Sequence, residues 1–199
     1  MTAPKTLLQL AGANPAPATL SEAALVIIDA QNEYTEGALL LSGVREAVAS
    51  IRALLDRARQ AGAPVIHVVH HGRPGGLFDP QGRNGAIVDL LAPSDGEAVA
   101  PKTLPNAFTS AAFRDALAAT GRKKIIATGF MTHMCVEATT RAALDHGYAT
   151  TVVAEATATR DLPDPLGGAP IGASELQRRS LAALADRFAT VVRSEREIV

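Results

Sequence analysis

The stretch IIATGFMTHMCVEATTRAALDHGYATTVVA, residues 125–154, decides the fold. It opens on a short apolar strand, Ile125 to Thr128, and passes into an amphipathic run from about His133 to His146, closed by Gly147. It ends on a second apolar strand, Thr150 to Ala154. Two strands that are apolar at nearly every position, joined by a helix, form the crossover unit of a parallel sheet covered on both faces.

The same alternation extends outward. Toward the N-terminus, ALVII at Ala24 to Ile28 is a strand ending at Asp29. From Val44 the apolar positions Val48, Ile51, Leu55 and Ala58 recur at helical spacing, with Ser42 placed to cap the start and Gly62 and Pro64 to stop the helix. VIHVV at Val65 to Val69 is the next strand. A stretch rich in Gly, Pro and Asp follows, from His70 to about Pro101, in which only Ala98 to Ala100 resembles a strand. A helix from Ser110 to Ala119 ends before Gly121. On the other side, a second irregular loop, Glu155 to Gly172, leads to a helix near Glu175 to Phe188 and a last strand, Thr190 to Val192. This order predicts a doubly wound α/β domain in three layers. Without an internal repeat, linker or composition shift, residues 1–199 read as one domain, with 1–20 as an N-terminal extension.

Nineteen Lys+Arg against 20 Asp+Glu leave no basic footprint for nucleic acid or an anionic membrane surface. No run reaches the length of a membrane span, and residues 1–20 lack the pattern of a signal peptide. A single cysteine rules out an internal disulfide and fits a reducing cytoplasm. The expected partner is a small molecule.

In an open parallel sheet, ligands sit beyond the carboxyl ends of the strands. Three residues of chemical interest fall at that edge. Cys135, at the start of a helix, is either a thiol whose pKa the helix N-terminus lowers or a small buried hydrophobe. Asp29 ends an apolar run, where a carboxylate is costly unless exposed, paired or in use; it equally suits a loop cap. Lys102, in AVAPKTLPNAF, lies between two prolines in a constrained stretch, though a surface lysine is the commoner fate. Together the three supply a proton carrier, a fixed cation and a nucleophile, which is the equipment for acyl transfer through a thioester.

With VIIDAQNEY around Asp29, GEAVAPKTLPNAF around Lys102 and ATGFMTHMCVEATTRAALDHGYATTVVAEATATR around Cys135, the chain resembles the isochorismatase-like cysteine hydrolases from about residue 22 to 193. The resemblance implies a six-stranded, mainly parallel sheet with helices on both faces and an Asp29, Lys102, Cys135 triad. It also implies an oxyanion hole from the backbone N–H groups of Met131 and Cys135, and a cis peptide between Phe130 and Met131. Family members acting on a vinyl ether usually lack the cysteine, so its presence favours C–N hydrolysis. Relatives are commonly oligomers, and a dimer or tetramer would account for the mildly positive mean hydropathy.

One branch of the family holds a metal through Asp-x-His after the second strand. Here VVHHGRPGG has no Asp, and adjacent strand residues point apart, so no metal or other cofactor is expected. His67, His70, His71 and His146 read as structural, with His71 the best placed of them for substrate. Arg160 stands where carboxylate-binding relatives keep an arginine, or it pairs with Asp161 or Asp164. Tyr34, Phe78 and Phe108 are candidate pocket walls or loop anchors. Thr132 can bond substrate or cap the helix. Gln31 and Asn32 hold the loop after Asp29, and Gln177 stands near where many relatives keep a histidine. A nucleotide-binding module would need a Gly-rich turn after the first strand, and IIDAQNEY has none. The remaining rivals are an ester or isochorismate-like ether as substrate, or a catalytically silent binding protein on the same fold.

Overall fold

Strand β1 (Ala23–Ile28) is buried at every residue, so it needs a layer on each of its faces. The computed structural model, which describes residues 3–199, provides both; Met1 and Thr2 of the N-terminal extension lie outside the described residues. Five further strands join β1: β2 (Val65–His70), β3 (Ala98–Lys102), β4 (Lys124–Phe130), β5 (Ala149–Ala158) and β6 (Thr190–Val192). Their order is β3-β2-β1-β4-β5-β6, and every pairing is parallel. The winding reverses between β1 and β4, which creates a crevice at their carboxyl ends.

Alternation along the strands sorts the core into two halves. Leu25 and Ile27 face the long helix α2 (Val44–Gln60), whose Val48, Ile51, Leu54, Leu55 and Ala58 fill that side. Ala24, Val26 and Ile28 face the other, where α3 (Ala111–Ala119) contributes Phe113 and Leu117, α4 (Glu137–Asp145) Ala142 and Ala143, and α5 (Ala173–Arg187) Leu184. Each fully buried Leu, Ile or Phe is worth about 1.5–3 kcal/mol relative to exposure. A short helix in the N-terminal extension, Leu7–Leu10, is capped by Thr6 and tied to α5 by the Leu7 N–H donating to Asp186 Oδ1 at 2.7 Å.

Several boundaries differ from the sequence reading. Ser42 does not cap α2: the residue before the helix is Gly43, left-handed at φ 69°, and the Ser42 N–H instead donates to the Thr159 carbonyl at 3.1 Å. Strand β5 runs on to Ala158, because a register shift opposite β4, between Ala127 and Gly129, lets pairing resume at Thr157. Strand β3 includes Lys102 at its end, and Pro101 is tolerated there because β3 is an edge strand with one neighbour. The helix expected from His133 begins with a wide π-helical turn, Thr132–Val136, before α4 proper. The peptide between Phe130 and Met131 is cis.

Gly129 pairs with Ile28 where β4 lies against β1. A Cβ there would lie 2.0 Å from the Ile28 carbonyl oxygen, and φ is +106°, a region L side chains rarely adopt. Gly129→Ala is therefore expected to destabilise the fold by about 3 kcal/mol or more. An unchanged urea midpoint for that variant would contradict this packing.

Candidate active site

Each of the three residues sits at a strand end. The chain leaves β1 through Asp29, which is left-handed at φ 50° and whose N–H donates to the Val68 carbonyl at 2.9 Å. Asp is among the few residues that tolerate this conformation. Lys102 ends β3, and Cys135 rides in the π-helical turn after β4. Turns of that kind are rare and recur at functional sites.

Sequence distances of 73 and 33 residues collapse to contact. Lys102 Nζ donates to Asp29 Oδ2 at 2.6 Å and to Cys135 Sγ at 3.4 Å. The side chains of Lys102 and Asp29 are fully buried, and Cys135 is buried beside them. Asp29 Oδ1 is buried with no hydrogen-bond partner, so it is the oxygen available for a proton.

Burial raises the Asp29 carboxyl above the usual carboxylate range, while the Lys102 ammonium pulls it back. Burial pushes the Cys135 thiol up to about 12, and the Asp29 charge adds to the rise against the pull of Lys102. The thiol lowered by a helix N-terminus is thus not found: at the end of a wide turn in a dry site, desolvation and a neighbouring carboxylate outweigh the dipole. One ammonium faces two acidic groups, and the arrangement holds one negative charge between them. Such a set can pass a proton from sulfur to carboxylate as a nucleophile attacks.

A family model described as the isochorismatase domain matches residues 23–196. The chain belongs to the isochorismatase family. It is 38% identical to the secreted isochorismatase effector Isc1 of Verticillium dahliae, with 92% of this chain and 94% of that one covered. To the ureidoacrylate amidohydrolase RutB of Agrobacterium fabrum it is 32% identical, over 73% of this chain and 80% of that one. The crystal structure of an isochorismatase from Pseudomonas putida matches with a TM-score of 0.93 at 45% identity, covering 99% of this chain and 100% of that one. The protein is an isochorismatase-family hydrolase with the expected α/β fold. No helix among the described residues is long and apolar enough to cross a membrane.

The other candidate residues divide. Tyr34 is buried, with Phe78 edge-on at 5.0 Å and Phe130 at 5.8 Å. Burial raises its phenol, and the nearby charges of Asp29 and Cys135 add to the rise. Phe78 also meets the His70 ring at 5.2 Å, so both aromatics close the α2 side of the site. Phe108 is packed as a loop anchor: its ring stacks on His146 at 4.5 Å and meets Phe113 edge-on. Thr132 does not cap the turn; its hydroxyl donates to the Ala158 carbonyl at 3.1 Å. His71 turns outward to a cleft of 320 Å³ lined by Pro101, Lys102, Thr103 and Thr109.

Arg160 pairs with neither Asp161 nor Asp164 through their carboxylates. Its Nη1 donates to the Asp161 main-chain carbonyl at 3.3 Å, and its Nε is buried without a partner. The Asp161 carboxylate instead receives the Ala173 N–H at 2.7 Å, and that of Asp164 receives the Leu166 N–H at 2.9 Å. Gln31 holds the loop as expected: its side chain accepts from the His70 N–H at 2.8 Å and donates to the carbonyls of His70 and Gly85. The Asn32 side chain donates to the Arg83 carbonyl at 3.1 Å. Gln177 fills its place by donating to the Thr157 hydroxyl at 2.8 Å, which ties α5 to β5.

Two further side chains, one read as structural in the sequence and one given no role there, lie close by. His70 reaches Lys102, with Nδ1 3.3 Å from Nζ. His133 sits against Thr159, Nδ1 to Oγ1 at 2.5 Å, with Nε2 buried and unpartnered. The signal for His70 was its place one residue before His71 at the end of β2, but using it requires knowing that β2 pairs with β3.

Removing the ammonium strands a buried carboxylate. Lys102→Met is expected to cost about 3–5 kcal/mol of stability. Adding Asp29→Asn to it restores a large part of the loss. Equal denaturation midpoints for wild type and Lys102→Met would contradict the buried pair.

Proposed function

We propose that this protein hydrolyses a C–N bond of a small amide, ureido or carbamoyl compound through a thioester on Cys135. The observation that carries the reading is the single buried ammonium that touches both Asp29 Oδ2 and Cys135 Sγ. A hydrolase without covalent chemistry has no use for a thiol at that point. The 32% identity to a ureidoacrylate amidohydrolase supports the same bond class.

In this reading Asp29 takes the thiol proton as Sγ attacks the carbonyl carbon. The C=O π electrons move to oxygen, and the backbone N–H groups of Met131 and Cys135 stabilise the oxyanion. When the oxyanion collapses, the C–N bond breaks and Asp29 gives its proton to the departing nitrogen, so ammonia or an amine leaves. Asp29 then takes a proton from water as the water oxygen attacks the thioester carbon; the intermediate collapses, the C–S bond breaks, and Asp29 returns that proton to sulfur, which restores the thiol and releases the acid. Lys102 offsets the one negative charge, whichever atom carries it. Tyr34 and Phe78 wall the acyl side.

Arg160 gives the substrate a further feature. A guanidinium with an unpartnered buried N–H and no carboxylate partner among the described residues is suited to a substrate carboxylate. An ammonia-release screen over primary amides, ureas and carbamoyl compounds, with and without a carboxylate, tests both parts. Cys135→Ala is expected to abolish turnover in a folded protein, and Arg160→Gln to raise KM for the carboxylate-bearing substrate about 10- to 100-fold with kcat little changed. Full turnover by Cys135→Ala would sink the thioester mechanism.

A further inference from the structure

The Lys102 ammonium has three N–H groups, and Asp29 and Cys135 take two of them. Its third neighbour is the His70 ring, with Nδ1 at 3.3 Å. We propose that His70 is a positioning residue: its Nδ1 accepts the third N–H of Lys102 and so aims the ammonium at the Asp29–Cys135 pair. This rests on the triad reading above and adds to it a group that touches neither the carboxylate nor the sulfur.

The placement is built into the sheet. His70 ends β2 and Lys102 ends β3, and the two are register partners, so both side chains leave the sheet at the same level. Gln31 fixes the His70 backbone from both sides, accepting from its N–H at 2.8 Å and donating to its carbonyl at 2.9 Å. Phe78, left-handed at φ 56° in the loop after β2, lays its ring edge-on against the imidazole at 5.2 Å. The imidazole is therefore held at its backbone and on one face, leaving one ring nitrogen to meet the lysine.

An imidazole can accept from an ammonium only when neutral, with its proton on Nε2. The surroundings enforce that state. Burial pushes His70 down to about 4, and the charge of Lys102 and the neighbouring His71 add to the fall. At neutral pH, His70 is an acceptor. The residue next to it shows the contrast, since His71 turns to the outer cleft and meets Lys102 only through its own N–H and the Lys102 carbonyl, at 2.8 Å.

The mechanism has a use for such an acceptor. A flexible four-carbon stem in a dry site gains from a third fixed partner, because an ammonium that swings toward Asp29 alone no longer faces the sulfur. Without His70, Lys102 would leave one buried N–H unpaired and would lose its hold on the thiol.

Cys135 is the only cysteine, so its alkylation by iodoacetamide, followed by intact mass across a pH series, reads the sulfur's environment without a known substrate. His70→Leu is expected to slow alkylation about tenfold at mildly alkaline pH and to move its pH profile upward. His70→Asn, whose side-chain oxygen falls near the Nδ1 position, is expected to stay within about threefold of wild type. Lys102→Met serves as the reference. If Lys102→Met slows alkylation and His70→Leu does not, the inference on His70 is overturned while the triad stands. If neither changes it, the triad reading fails as well. Equal slowing by His70→Leu and His70→Asn also overturns the inference, since it reduces His70 to a space filler. Should His70→Leu fail to fold, His70→Gln against His70→Asn applies the same criterion, because Gln carries its oxygen near the Nε2 position.

Discussion

The buried ion pair between Lys102 and Asp29 is the constraint around which the site is arranged. Taking both charges out of water costs several kcal/mol per ion, and contact at 2.6 Å with further hydrogen bonds to Lys102 offsets it. One buried cation supports one buried anion, yet the site contains two acidic groups. Burial raises both Asp29 and Cys135 above their usual range, the Asp29 charge adds to the rise of the thiol, and Lys102 pulls both back. In the proposed mechanism the negative charge passes between carboxylate and sulfur, while the total charge of the site stays fixed. That is a useful property for a reaction that needs a thiolate briefly and a proton carrier twice.

The backbone features nearby serve the same arrangement. The left-handed turn at Asp29 follows directly on the approach of Ile28 to Gly129, where only glycine fits. The register shift in β5 lets that strand continue to Ala158, whose carbonyl accepts from Thr132 and so fixes the start of the turn that carries Cys135. The site draws on the ends of β1, β2, β3 and β4, and the reversal of winding between β1 and β4 brings those ends to one crevice.

The fold was legible because its signal is repeated. Continuous apolar strands alternating with helical spacing cannot pack other than as a covered parallel sheet, and the residues ALVII before Asp29 and IIAT before Gly129 mark its centre. Asp29, Lys102 and Cys135 were legible for a related reason, since each follows or ends a strand at the same edge. What was hidden depends on which strand lies beside which. His70 and His71 are adjacent in sequence, where His71 looks the better placed for substrate, and only the pairing of β2 with β3 gives His70 to Lys102. The partners of Thr132 and Phe108, the Ala158 carbonyl and the His146 ring, lie well along the chain, so the sequence leaves their alternatives open. For the thiol, a helix start suggests a lowered pKa, but burial beside a carboxylate decides the sign. The lone cysteine also suggested a reducing compartment, whereas a relative at 38% identity bears the name of a secreted effector.

The sharing of one negative charge between two groups has a direct spectroscopic consequence, and the single cysteine makes it readable. Ultraviolet thiolate absorbance, titrated in wild type and in Asp29→Asn, measures it. Wild type is expected to show no thiolate through neutral pH, with the signal rising only toward a value of about 12. In Asp29→Asn the sulfur becomes the one acidic group beside Lys102, so its titration should fall below the wild-type position, with burial still holding it up. A thiol that titrates in Asp29→Asn at or above its wild-type position would contradict the account.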